Sequence, residues 1–436
     1  MVETRFHWFL PTSGDSRGVV GGEHGAEVLS SSPVREPELA YLRQVAQAAE
    51  ANRFDSVLTP TGLYCRDPWL TAAALAEHTS SLRFLVAMRP DALSPTLAAQ
   101  MAATFQAQTG GRLALNVVTG GESAEQRAYG DFLDKEGRYR RTREHLRVVR
   151  RLWEHGPAFD HDAEGVRVEQ ARLVDAPDPV PEVHFAGSSP AALEIAAELA
   201  DVYLTWGEPP AQAGEKIARV REAAAARGRT LRYGVRLHVI TRDTSEQAWA
   251  VAQAMLDAIP EELVRRQQQA LRASESEGQR RMLALHGGDR RNLEIHPGLW
   301  AGSGLIRGGA GTALVGSHEE VADLIRQYEA VGFTDFVLSG HPCLEEAWWF
   351  GEGVRPRVDR PEAASRPADA RRRERAAAAV RELLIAVGEK FCSDTSPGFS
   401  VSRRCFQASG IGLSCVSSGR VPNWNAICPS SGLSSQ

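Results

Sequence analysis

The stretch "YGVRLHVIT", residues 233–241, decides the fold. Side chains on a strand alternate between its two faces. Arg236 and His238 therefore share one face, and Val235, Leu237 and Val239 share the other. A surface sheet would turn the polar pair to water. A closed barrel would turn it toward an active site. The surrounding sequence decides between these.

Seven further β-rich runs accompany this one: "FHWFL" (6–10), "FDSVLTP" (54–60), "RFLVAMR" (83–89), "LALNVVT" (113–119), "VHFAG" (183–187), "DVYLTW" (201–206) and "DFVLSG" (335–340). Helical patterns fill the intervals at 37–52, 67–79, 94–109, 138–155, 190–199, 211–227, 244–256 and 317–331. Ser189 before Pro190 is a favoured helix start. Ser317 with Glu320 three residues later is a capping box, and Gly332 is a stop. Eight strands alternating with helices predict an α/β fold, a (β/α)8 TIM barrel with insertion segments. The interruptions fall at 11–36, at 156–180, which contains the alternating "VRVEQARLV", and at 257–316, which is rich in Arg, Gln, Ser and Gly. Connections of this length are usually functional or disordered. The barrel domain is expected over 1–357. The extension 358–436 is expected to hold a short basic, Ala-rich helix followed by a Ser/Gly/Cys-rich disordered stretch.

The bulk properties exclude several classes. The 436 residues suffice for one barrel-sized domain with additions. A hydrophobic fraction of 43% and a charged fraction of 24% are those of a soluble globular protein. The net charge of -5 gives no reason to expect nucleic acid or an anionic membrane as partner. No apolar run reaches the roughly 18 residues of a membrane span, and "MVETRFHWFLPTSGD" lacks the pattern of a secretory signal. Cys65 and Cys343 lie in the main body, and four more cysteines in the last 45 residues. None forms a CxxC pair, so no metal site is expected, and reduced thiols in the cytoplasm are the default.

A barrel of this kind places its site at the C-terminal ends of the strands. There stand Cys65 after the second strand, "TGGESAEQ" after the fourth, "GSSP" after the fifth, Trp206 ending the sixth, Arg236 and His238 on the seventh, and His341 after the eighth. Arg307 lies among glycines in "LIRGGAGTALVG". Each has two readings. Cys65 is an apolar filler or a functional thiol. Trp206 is core or lies against a planar ligand. "GSSP" caps its own helix or binds phosphate. "TGGE" is only a turn or part of the site. "RGGAG" is a linker or a loop that closes on an anion. An inward Arg236 needs a partner, because a buried unpaired charge is costly, and a bound anion would serve.

These stretches, with "FHWFLPTSGD", "PTGLYCRDPWL", "FLVAMRPDALSPTLAAQMAAT", "GRLALNVVTGG" and "FVLSGHPCLEEA", resemble the alkanesulfonate monooxygenases of the bacterial-luciferase-like flavin family through most of residues 5–350. The resemblance implies reduced FMN as co-substrate, delivered by a separate NAD(P)H-dependent FMN reductase. It implies O2 and a small sulfonate as substrates, and sulfite and an aldehyde as products. A homo-oligomer, dimer or tetramer, is implied as well. Arg236, His238, Arg307, Cys65 and His341 would be the catalytic set. Arg236 and Arg307 would meet the sulfonate or the anionic flavin, and His238 would position or exchange a proton near neutral pH. Ser188, Ser189, Thr119 and Tyr139 would hold the FMN phosphate, with Trp206 packing nearby and Cys65 hydrogen-bonding to flavin. The segment 257–316 would be a mobile lid that keeps water from the oxygenated flavin. Two positions depart from the family pattern: His341 stands where a Tyr is expected, and Ser13 where a His is expected. A sulfone substrate, a deazaflavin-dependent oxidoreductase, a non-catalytic flavin-binding protein and a cofactor-free barrel lyase are the competing readings.

Overall fold

The computed structural model describes residues 3–18 and 34–359. Apart from Val358 and Asp359, the expected C-terminal extension lies outside the described residues. Eight parallel strands close into a barrel: β1 (Arg5–Phe9), β2 (Ser56–Thr59), β3 (Arg83–Met88), β4 (Leu113–Val117), β5 (Glu182–Ala186), β6 (Val202–Trp206), β7 (Arg232–Arg242) and β8 (Asp335–Ser339). Each pairs with the next, and β8 pairs back onto β1. All eight strands fall on the runs expected from sequence, and the intervening helices form a surrounding layer. The aliphatic faces of the strands and the apolar faces of these helices make one continuous core.

The alternation in β7 is as expected. Arg236 is in register with Trp206 of β6 and Val337 of β8, and His238 with Ser339. Val235, Leu237 and Val239 are fully buried in the core. The same inward rows continue to the opposite end of the barrel, where Glu182 accepts hydrogen bonds from three guanidinium groups: Arg5 at 3.1 Å, Arg83 at 3.1 Å and Arg232 at 2.8 Å. Arg232 also binds Asp335 with both Nε and Nη2 at 3.2 Å. Above this floor, His7 bridges Ser56 Oγ at 2.8 Å and Asp335 Oδ1 at 3.3 Å.

Two interruptions carry structure of their own. Residues 156–180 contain an antiparallel hairpin, Phe159–Ala163 with Val166–Ala171, as the alternating pattern there suggested. The segment 257–316 corrects the reading of a long irregular loop. It contains helices Glu261–Arg272 and Glu277–His286, short strands Glu294–His296 and Leu299–Trp300, and a further strand, Ala313–Ser317. That last strand runs parallel to the second half of β7, with Ala313 opposite His238 and Ser317 opposite Arg242. The β6 edge of β7 is paired only as far as Arg236. The extra length of β7 thus receives a ninth strand, which the Gly-rich "GGAGTALVG" disguised.

Asp15, in the connection after β1, ties the two ends of the barrel sequence together. Its carboxylate accepts from Tyr41 Oη at 2.5 Å and from the backbone N–H of Cys343 at 2.7 Å, the first residue of the helix after β8. Arg35 pairs with the Asp15 backbone and forks onto Glu345.

Two stability effects follow. Burial works to raise the Glu182 carboxyl, but hydrogen bonds from His184 and Arg232 and the charges of Arg232 and Arg83 hold it well below the usual range. Its stabilisation is present above the ordinary value of 4.5 and is lost as pH falls. Glu182→Ala should cost about 2 kcal/mol in urea denaturation at neutral pH, between the values for exposed and fully buried ion pairs, because 24% of the Glu182 side chain stays exposed. Asp15 behaves oppositely: burial, only partly offset by Tyr41, Cys343, Ser16 and Arg35, pushes it from 3.8 to about 6. The folded state therefore keeps the proton longer than the unfolded chain, and stability falls as pH rises through that window. A shift of this size corresponds to ~3 kcal/mol at most. Unfolding free energies measured across the window should show this slope in the wild type and lack it in Asp15→Asn.

Candidate active site

At the C-terminal mouth, β7, β8 and the long insertion bring four of the expected residues together. The His238 and His341 rings stack with centroids 5.3 Å apart. Arg307 Nη1 lies 3.4 Å from His341 Nε2. Arg236 and Arg307 both act electrostatically on the His238 ring. All but His341 are buried. His341 precedes Pro342 in the turn that leaves β8, and Arg307 follows a 3-10 turn, Gly302–Leu305, in the insertion. Gly304 and Gly311 pack so closely that a methyl on Gly311 would lie 2.5 Å from Gly304 Cα, so the "RGGAG" loop folds back tightly on itself.

Arg236 and His238 also have partners within the protein. Arg236 donates Nη1 to the Leu237 carbonyl at 2.6 Å and Nη2 to Ser339 Oγ at 2.9 Å, and its guanidinium lies 4.9 Å over the Phe9 ring. Protein dipoles and an aromatic face thus surround part of the cation. His238 has both ring nitrogens engaged, Nδ1 with Ser339 Oγ at 2.7 Å and Nε2 with the Ala310 carbonyl at 3.0 Å. Burial, then the charges of Arg307, Arg236 and His341, hold its imidazole well below the ordinary histidine range. Of the two expected roles, positioning or exchanging a proton near neutral pH, this setting favours positioning: burial first, and then the charges of the two arginines, favour the uncharged ring.

A second group surrounds the end of β5. Ser189 caps the helix Pro190–Leu199, accepting from the Ala192 N–H at 3.3 Å. A methyl on Gly187 would lie 2.5 Å from Ala192 Cβ and 3.6 Å from Tyr139 Oη, so the Tyr139 hydroxyl sits beside this turn. Ser188 is half-buried next to it. Thr119 at the end of β4 buries a hydroxyl with no hydrogen-bond partner among the described residues, and Asn116 Oδ1 is in the same condition. Such groups carry a desolvation cost that a polar ligand would relieve. A helix N-terminus, two serines, a tyrosine hydroxyl and these orphaned oxygens fit a phosphate with a polyhydroxyl chain, as in FMN.

Cys65 and Trp206 sit elsewhere on the mouth. Cys65 is half-buried in a turn closed by its own N–H to the Gly62 carbonyl at 3.0 Å. Glu125 accepts from the neighbouring Leu63 N–H at 3.1 Å. The Trp206 ring faces the insertion, and a methyl on Gly278 would meet it at 2.9 Å. Three residues escaped the sequence reading. Ser339 lies on the same inward row as Val337 and His341, so the alternation that found His238 could have found it. Arg89, one residue beyond β3, is buried with its guanidinium 4.4 Å over Tyr129 and 3.6 Å from Asp91. Glu208, after β6, is buried and gripped by Arg281 of the insertion at 2.5 and 2.8 Å and by Lys216 at 3.1 Å. Nothing in the spacing of Glu208 and Arg281 advertised that contact.

Known proteins share this fold. A riboflavin lyase solved with modified FMN and riboflavin is 20% identical, with a TM-score of 0.67 over 82% of this chain and 92% of its own. The EDTA monooxygenase of Chelativorans sp. BNC1 is 19% identical, with a TM-score of 0.64 over 83% and 94%. An F420-dependent secondary alcohol dehydrogenase in complex with an F420-acetone adduct is 17% identical, with a TM-score of 0.57 over 82% and 99%. At these identities the likeness is one of fold. The family model for luciferase-like monooxygenases matches residues 4–335, from β1 to the first residue of β8. The chain belongs to the luciferase-like monooxygenase family.

Proposed function

We propose that this chain is an FMNH2-dependent alkanesulfonate monooxygenase. The observation that carries the reading is the pair of buried arginines, Arg236 and Arg307, set around His238 and His341 at the mouth of β7 and β8. Two guanidinium groups suit the oxygens of a sulfonate, which offers several acceptors and one negative charge. In balance, RCH2SO3⁻, FMNH2 and O2 give RCHO, HSO3⁻, FMN and H2O. Reduced FMN, when bound, supplies the two electrons that activate oxygen.

The chain's own residues hold and enclose. Ser188, Ser189, Thr119 and Tyr139 would hold the FMN phosphate and its neighbouring hydroxyls. Cys65 would hydrogen-bond to the flavin, and Trp206 packs the boundary between barrel and insertion. Arg236 and Arg307 bind the sulfonate and offset negative charge in a site from which water is excluded. Neutral His238 is a fixed dipole. His341 takes the place of the family's phenol, with a shorter reach and an ordinary pKa far lower than that of tyrosine. The segment 257–316 is the lid, held down by Arg281 on Glu208 and by Thr312 Oγ1 on the Gly207 carbonyl at 2.7 Å. Reduced thiols and a nicotinamide-dependent reductase partner are consistent with the cytoplasm.

A second copy of the chain is the expected further partner. The connections after β2, β3 and β4 expose Leu63, Tyr64, Leu70, Leu97, Tyr129, Phe132 and Leu133. Large apolar side chains gathered in successive connections mark an interaction surface. Sedimentation should give a dimer or tetramer, and Phe132→Glu should weaken it.

The decisive assay is sulfite release from alkanesulfonates of several lengths, and from a sulfone, with FMN, NAD(P)H, a flavin reductase and oxygen. Arg307→Ala and Arg236→Ala should each lower turnover at least tenfold, about 1.4 kcal/mol of barrier, with unchanged circular dichroism. Sulfite from no sulfonate, despite tight binding of reduced FMN, would overturn the reading. The F420-dependent neighbour supports the second reading, a deazaflavin-dependent oxidoreductase. That enzyme would reduce the deazaflavin anaerobically and would not need the paired arginines.

A further inference from the structure

We infer that Ser339 is a positioning residue that fixes His238 in one tautomer and makes it the clasp of the loop carrying Arg307. The inference rests on the reading of this mouth as the substrate site, but its geometry is independent of the substrate. The chain of hydrogen bonds runs Arg236 Nη2 to Ser339 Oγ at 2.9 Å, Ser339 Oγ to His238 Nδ1 at 2.7 Å, and His238 Nε2 to the Ala310 carbonyl at 3.0 Å.

Its direction is set at both ends. A guanidinium has no acceptor, so Arg236 donates to Ser339. A carbonyl has no donor, so His238 Nε2 carries the proton and donates to Ala310. A neutral imidazole then has only Nδ1 left to accept, and the single Ser339 proton goes there. Each link then sets one donor against one acceptor. Reversing any link would set two hydrogens against each other or two lone pairs against each other. The groups facing the ring agree with the neutral form: Arg236 from its own strand, Arg307 from the insertion and His341 from the turn after β8.

The far end of the chain is the insertion. Ala310 stands three residues after Arg307. The His238 backbone N–H takes the Thr312 carbonyl at 2.8 Å, and Thr312 Oγ1 donates to the Gly207 carbonyl at 2.7 Å. The loop 307–312 is therefore pinned to β7 through ring and backbone alike. Without the Ser339 hydroxyl, only the Ala310 carbonyl would hold the imidazole proton on Nε2, against a buried Nδ1 left without its donor. Each ring protonated at Nδ1 instead would present a lone pair to the Ala310 oxygen and release the contact. In this role His238 holds Arg307 in place rather than passing a proton to substrate.

The test uses the full chain, with Ser339→Ala and Ser339→Thr. Amide exchange followed by mass spectrometry, without added flavin, should be at least tenfold faster over 307–312 in Ser339→Ala. Exchange in β1–β6 should stay unchanged, and the threonine hydroxyl should restore the wild-type rate. Nitrogen-15 shifts of the wild-type His238 ring should report a protonated Nε2 and a bare Nδ1 from pH 6 to 8, which needs no variant to fold. Unchanged exchange over 307–312 in Ser339→Ala, or a ring protonated at Nδ1, overturns the clasp even if sulfite is released. Faster exchange with threonine rescue supports the clasp even if no sulfonate is a substrate, in which case only the functional reading falls.

Discussion

Three guanidinium groups converge on one carboxylate, Glu182, at the closed end of the barrel, and the rest of the molecule depends on that neutralisation. A barrel of eight strands has an interior just wide enough for side chains to fill it. Arg5, Arg83 and Arg232 enter it from β1, β3 and β7, and Glu182 from β5. Alternate strands thus supply one layer, the usual way such interiors are filled. Here the layer is ionic, so it tolerates little displacement: moving one strand by a residue would bury arginines without their carboxylate. The floor therefore fixes register as well as filling space.

That register is what delivers the mouth. β7 carries Arg232 in the floor and, on the same inward row, Arg236 and His238 above it. β8 carries Asp335 in the floor and Val337, Ser339 and His341 above it. A slip of one residue would turn both rows to the helices and present Leu237 and Leu338 to the site. The long β7 adds a second service. Its first half closes the barrel with β6, and its second half pairs with Ala313–Ser317. The insertion is thereby joined to the strand that carries the buried arginine and histidine.

These links explain what was legible in the sequence. Period-two runs such as "VRLHV" and "FVLSG", separated by helices with Ser189 and Ser317 as caps, are local signals, and the barrel followed from them. The clustering of Arg236, His238, Arg307 and His341 was legible because strand ends in this fold all open on one face. The partners were not. That Arg236 meets Ser339 and Phe9 depends on side-chain reach across the barrel, and that Arg281 meets Glu208 depends on the path of an insertion. Neither leaves a trace in spacing. The ninth strand was hidden because "GGAGTALVG" reads as a flexible loop. One of its glycines, Gly311, instead serves close backbone contact with Gly304 across the turn.

The imidazole at position 341 acquires its meaning from the groups around it. Two arginines already occupy the mouth, and the His238 ring is kept uncharged beside them. A second imidazole, stacked on the first and 3.4 Å from Arg307, is the less buried of the two. Unlike a phenol, an imidazole can present either a donor or an acceptor to Arg307 and to a ligand on its other side. A neutral His341 with its lone pair toward Arg307 would orient the guanidinium; a protonated one would repel it. An anion bound between them would accept from both the guanidinium and the ring. An imidazole at 341 thus lets one ring serve both Arg307 and a ligand held by the arginine pair, where the single hydroxyl of a phenol would have to divide itself between them.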